Sequence, residues 1–94
     1  MPTPFTTRVS VAPDALVQDL GGETVILHLK TESYLGLDDV GTGMWKALTT
    51  SASIEAAYRV LLAEYDVDPD VLRRDLAELV EQLVEHGLVD VEAG

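Results

Sequence analysis

Residues 23–48, ETVILHLKTESYLGLDDVGTGMWKAL, constrain the fold more than any other part of the chain. Thr24, Val25 and Ile26 are β-branched and open a strand over residues 23–29. A polar connection leads into a short strand over residues 33–37, and a helix begins at once. Asp38 or Asp39 caps that helix, since a short carboxylate accepts bonds from the free amides of a first turn. Val40, Met44, Trp45 and Leu48 follow at helical spacing. Upstream, Gly21-Gly22 separates this segment from LVQDL at residues 16–20. Two glycines between apolar runs predict a two-residue hairpin, because both can take positive φ. Alternation places Val25, Leu27 and Leu29 on one strand face, assigned to the core, with Thr24, Ile26 and His28 opposite. Leu35 and Leu37 are also assigned to the core, with Tyr34 and Gly36 facing away.

Two further helices follow. Ser53 caps one over 54–65, whose apolar face is Ile54, Ala57, Tyr58, Leu61, Leu62 and Tyr65. Asp68-Pro69 starts the other, an acidic cap followed by proline at the first helical position. It runs to about His86, with Leu72, Leu76, Leu79, Val80 and Leu83 as its stripe and Glu78, Glu81 and Glu85 as its wet side. Gly87 stops it, and Leu88-Val89 form a short extended tail. Gly41 and Gly43, which weaken a helix by about 1 kcal/mol each, point to close packing around the first helix. Residues 1–7, with Pro2 and Pro4, read as a flexible lead-in, and residues 8–11 as a short extended piece. Strands followed by helices specify an α+β domain, its helices gathered on one face of an antiparallel sheet.

The chain has 94 residues, the size of one domain spanning 1–94. Six basic residues against 17 acidic ones give a formal charge of −11, which repels nucleic-acid phosphates and anionic membrane surfaces. The absence of cysteine excludes thiolate chemistry and disulfides, and fits a cytoplasmic protein. No apolar run approaches the roughly 20 residues of a membrane span.

No catalytic constellation emerges. His28 and His86 lack a third ligand for a metal, and Asp66, Asp68 and Asp70 are followed by Val71 where a calcium loop needs glycine. No phosphate-binding glycine loop is present, so neither metal nor cofactor is expected. The informative element is the short strand at residues 33–37. As a sheet edge it is either simply blunted by its length or open to pairing with a strand from another chain. Leu72, Val80 and Leu83 on the last helix are candidates to line a groove beside it. Arg73 and Arg74 are the only adjacent basic pair, read as local ion pairing or as a contact to an acidic peptide.

The Gly-Gly hairpin, VILHLKTESYLGLDDVGTGMWKAL, EYDVDPD and LRRDLAELVEQLVEHGLV, in that order, resemble the PqqD-like family. Its members recognise ribosomally made precursor peptides that are later modified. The resemblance covers about residues 13–89. It implies a winged-helix-like fold, a three-stranded antiparallel sheet packed on a three-helix bundle, and no catalysis of its own. It implies a peptide site at Ser33, Tyr34, Leu35, Gly36 and Leu37, facing Leu72, Arg73, Leu76, Leu79, Val80 and Leu83. The guest is the leader region of a precursor, presented to modifying enzymes. Among the branches, the chain is most similar to the standalone leader-binding proteins of lasso peptide biosynthesis, which work with a leader protease and a cyclase. A chaperone for a radical enzyme in cofactor synthesis and a winged-helix DNA-binding module are the alternatives. On this reading, Leu76→Asp or a proline at Leu35 abolishes peptide binding.

Overall fold

The computed structural model describes residues 3–93. Strands β1 (Thr7–Val11), β2 (Ala15–Asp19), β3 (Thr24–His28) and β4 (Tyr34–Leu37) precede helices α1 (Asp39–Thr50), α2 (Ile54–Glu64) and α3 (Pro69–Glu85), and β5 (Val89–Ala93) closes the fold. The expected meander is present as an antiparallel sheet in the order β2-β3-β4. β1 and β5 form a second, two-stranded antiparallel sheet, in which Val9 lies opposite Val91. The piece expected at residues 8–11 and the C-terminal tail are thus partners.

Local chemistry sets the element ends. Gly21 and Gly22 take φ of +72° and +101°, and the Leu20 amide donates to the Glu23 carbonyl at 2.7 Å, closing the two-residue hairpin. Asp38 caps α1 through the Gly41 amide, Ser53 caps α2 through Ala56, and Asp68 caps α3 through Asp70 and Val71. At the far end of α3, the Leu88 amide donates to Leu83 and the Gly87 amide to Val84, with Gly87 at φ +68°. That is the Schellman pattern, and the buried pair Leu83 and Leu88 supplies its apolar contact. Gly87→Ala forces a side chain into left-handed backbone, with its Cβ about 3.4 Å from the His28 ring. We expect a loss of about 1 kcal/mol, read as a fall of roughly 4–8 °C in Tm.

One cluster joins the elements. Ile26, Leu48, Ile54, Leu61, Leu76, Leu83 and Leu88 are fully buried at its centre, each stabilising the fold by about 1.5–3 kcal/mol. The faces of β3 are the reverse of the expectation. Thr24 and Ile26 are buried, with Ile26 at 0% exposure, whereas Leu29 is 58% exposed. Ile26 lies opposite Leu35 and Thr24 opposite Leu37, so the inward face of β4 takes that of β3 with it. Val25 and Leu27 turn to the outer face with Leu16, Gly36 and Tyr34. Gly43 is a close-approach glycine as expected, since a Cβ there would collide with the Tyr65 hydroxyl.

Met1 and Pro2 lie outside the described residues. From Thr3 onward the lead-in is tied down. The Thr3 amide donates to Glu81 Oε1 at 2.7 Å, and the Phe5 carbonyl accepts from the Glu55 amide at 2.8 Å. The amide of Thr3, then its hydroxyl, hold the Glu81 carboxyl below its ordinary value.

Candidate functional site: the open edge of β4

β4 ends its sheet, and among the described residues no strand covers its outer edge. The hydrogen-bond phase shows which groups face outward. The His28 amide donates to the Ser33 carbonyl at 2.8 Å, so these two residues form a bonded pair. Bonded pairs alternate in an antiparallel ladder. With Ile26 opposite Leu35 and Thr24 opposite Leu37, the amides and carbonyls of Leu35 and Leu37 are spent on β3. Those of Tyr34 and Gly36 point to the open edge. Tyr34 is 69% exposed, and a Cβ at Gly36 would meet nothing within 4 Å. A guest strand can therefore form two donor and two acceptor bonds there without displacing any strand among the described residues.

The turn before β4 is pinned from within. His28 Nδ1 accepts from the amides of Lys30 and Thr31, each at 3.2 Å. Glu32 completes the turn at φ 61°.

α3 flanks the edge. At one end Ser33 shares an open cleft with His28, Thr31, Glu85, His86 and Gly87. At the other, where β4 runs into α1, an apolar crevice of about 80 Å³ opens between the helices. Val40, Met44, Tyr65, Val71, Leu72 and Asp75 line much of it. Its walls are almost wholly carbon, and its volume suits one aliphatic side chain. A strand on β4 thus has a polar cleft at one end and an apolar socket at the other.

The expected site residues divide between edge and core. Ser33, Tyr34, Leu35, Gly36 and Leu37 form the edge strand and its entry, with Leu35 half-buried and Leu37 turned into the core. Leu72 reaches the crevice. Leu76 and Leu83 are at 0% exposure, and Leu79 and Val80 are also buried, so these four support the groove from beneath. Arg73 lies on another side of α3. Its guanidinium sits 4.1 Å from the Phe5 ring centroid and 5.3 Å from that of Tyr58, and pairs with Glu55 at 3.5 Å. Sequence reasoning missed Val40, Val67, Val71 and Asp75 at the crevice. A signal existed: Val71 is an apolar residue one position off the main stripe, next to a capped helix start.

Among the described residues, no group of three or more His, Cys, Asp or Glu could hold a metal ion. None of the described helices is long and apolar enough to cross a membrane.

The fold and the site define an α+β module in which, among the described residues, the outer edge of β4 is unpaired beside a helix. The chain belongs to the PqqD family: the family model described as coenzyme PQQ synthesis protein D matches residues 23–89. It is similar to a solved structure described as TbiB1 in complex with the TbiA(beta) leader peptide, at 31% identity and a TM-score of 0.78, covering 86% of this chain and 94% of that one. It is also similar to lasso peptide synthetase B1 complexed with the leader peptide, at 25% identity and a TM-score of 0.77, covering 88% and 98% respectively. No curated protein matches the chain.

Proposed function

We propose that this chain is a non-catalytic, single-domain recognition element for lasso peptide biosynthesis. It captures the leader segment of a ribosomally synthesised precursor by strand addition to β4. It then presents the precursor to a leader protease and a cyclase in the cytoplasm. The carrying observation is the outward phase of the Tyr34 and Gly36 backbone beside an apolar socket. Main-chain bonds at an edge supply affinity with little dependence on sequence, and a side-chain socket supplies the selection. The similar solved structures, both described as leader-peptide complexes, support the same reading.

The energetics suit the task. A leader is disordered before capture, so ordering it offsets much of the gain. One or two buried aliphatic anchors, at about 1.5–3 kcal/mol each, together with edge bonds give affinity around micromolar. Such a complex releases its guest once the enzymes have acted. DNA binding is disfavoured, because the exposed surface of α3 sets Asp75, Glu78 and Glu85 around the single Arg74, in a chain of formal charge −11.

The test is reconstitution with a cognate precursor, leader protease and cyclase, followed by mass spectrometry. We expect leader removal to accelerate strongly when the chain is added, while chain and precursor alone give no mass change. Equal cleavage with and without the chain rejects the proposal.

A further inference from the structure

We infer that the guest strand is cationic on the side that faces α3, with a single apolar anchor at the β4–α1 end. This deepens, and rests on, the leader-capture reading. Val71, Asp75, Glu78, Gln82 and Glu85 recur at intervals of three or four residues, and all are exposed. They form one face of α3. Both ends of that face are tied to the β4 side: Val71 and Asp75 line the apolar crevice, and Glu85 lines the cleft shared with Ser33. The face therefore runs along the open edge as the wall of the groove. It carries three carboxylates, with Arg74 at its outer margin one turn before Glu78.

The chain's cations are engaged or placed elsewhere. Lys30 pairs with Asp14 at 3.5 Å, Lys46 with Asp19 at 3.8 Å and Arg73 with Glu55 at 3.5 Å. Arg74 lies to the outer side of Glu78 on the helix. An approaching acidic strand meets only Arg74 at the outer margin of the wall, whereas a basic one meets three carboxylates.

Geometry sets the spacing. Fourteen helical steps separate Val71 from Glu85, about 21 Å at 1.5 Å per residue. A strand covers that span in about six residues. Alternate residues face the wall, so about three guest side chains do so. The one over the crevice is aliphatic, and the next two carry Lys or Arg opposite Glu78 and Glu85.

The experiment titrates a fluorescent synthetic peptide matching the cognate leader, read by anisotropy over a salt series. The variants are Asp75→Asn/Glu78→Gln/Glu85→Gln and the charge reversal Asp75→Lys/Glu78→Lys/Glu85→Lys. All three positions are exposed, and circular dichroism confirms that both variants fold. We expect the neutral variant to bind about fivefold weaker and the reversal tenfold or more weaker at low salt. The differences should shrink as salt screens them, while Glu92→Lys on β5 leaves affinity within about twofold. Parent binding that Gly36→Pro weakens by tenfold or more, but that neither wall variant weakens, overturns this inference and leaves leader capture standing. Tighter binding to the reversal does the same. A peptide that does not bind the parent chain at all overturns both.

Discussion

Gly36→Pro will leave the fold intact and reduce leader affinity by roughly 30- to 150-fold. The Gly36 amide points away from β3, so proline there breaks no bond of the ladder. The added ring carbons enter open space, since nothing lies within 4 Å of a Cβ at this position. Leu35, the residue before it, is already extended, as proline requires. What changes is the edge. One of its two donors is lost, and a guest carbonyl is left facing a hydrocarbon ring. An unmade bond at a desolvated acceptor costs about 1–3 kcal/mol, and the ring adds a steric penalty. A total of about 2–3 kcal/mol gives the stated factor. Calorimetric titration with the leader peptide measures it, and a melt followed at 222 nm checks the fold. A stable variant that binds like the parent removes β4 from the site. Proline at Leu35, the substitution suggested by sequence, is a poorer test: the Leu35 amide faces β3, so the sheet itself would break.

That contrast shows what sequence could and could not specify. Element types and ends were legible because their causes are local. Gly21-Gly22, Asp68-Pro69 and Gly87 each act within a few residues, and each marks a boundary in the structure. The edge strand was legible too, as four or five residues between a polar turn and a helix cap. The inward face of β3 was not. Val25, Leu27 and Leu29 make a more apolar face than Thr24, Ile26 and His28, so period-two pattern alone points to the wrong side. The choice depends on which face meets the helices, a tertiary matter. The β1–β5 pairing joins residues about eighty positions apart, and nothing local announces it. The groove followed the same rule. The stripe of α3 was read correctly as apolar, but apolar stripes are consumed by the core. The wall proposed for the guest is the adjacent face, which reads in sequence as ordinary solvated surface.

Leu76→Asp will therefore fail as a groove mutation and act as an unfolding one, whereas Val71→Asp will do the reverse. Leu76 is at 0% exposure within the cluster that joins α3 to the rest of the chain. A carboxyl there has no partner. It must either stay charged in a low-dielectric site or bind a proton at neutral pH, and either route costs several kcal/mol beyond the lost packing. Truncation to alanine alone at such a site costs about 2–5 kcal/mol. A domain of this size has about 5–10 kcal/mol of stability in all. We expect Leu76→Asp to lose its cooperative melt, and Leu76→Ala to keep a melt at a Tm lower by at least 10 °C. Val71 is exposed at the mouth of the crevice, beside Asp75. A carboxylate at that position remains hydrated, so the melt should stay within a few degrees of the parent's. It places a second charge at the socket that an apolar anchor must enter, and the anchor loses most of its roughly 1.5–3 kcal/mol of burial. Leader affinity should fall about 10- to 100-fold. The pair of variants separates support from contact on a single helix. If Leu76→Asp folds and merely binds weakly, Leu76 belongs to the groove surface. If Val71→Asp binds as the parent does, the anchor lies elsewhere along β4.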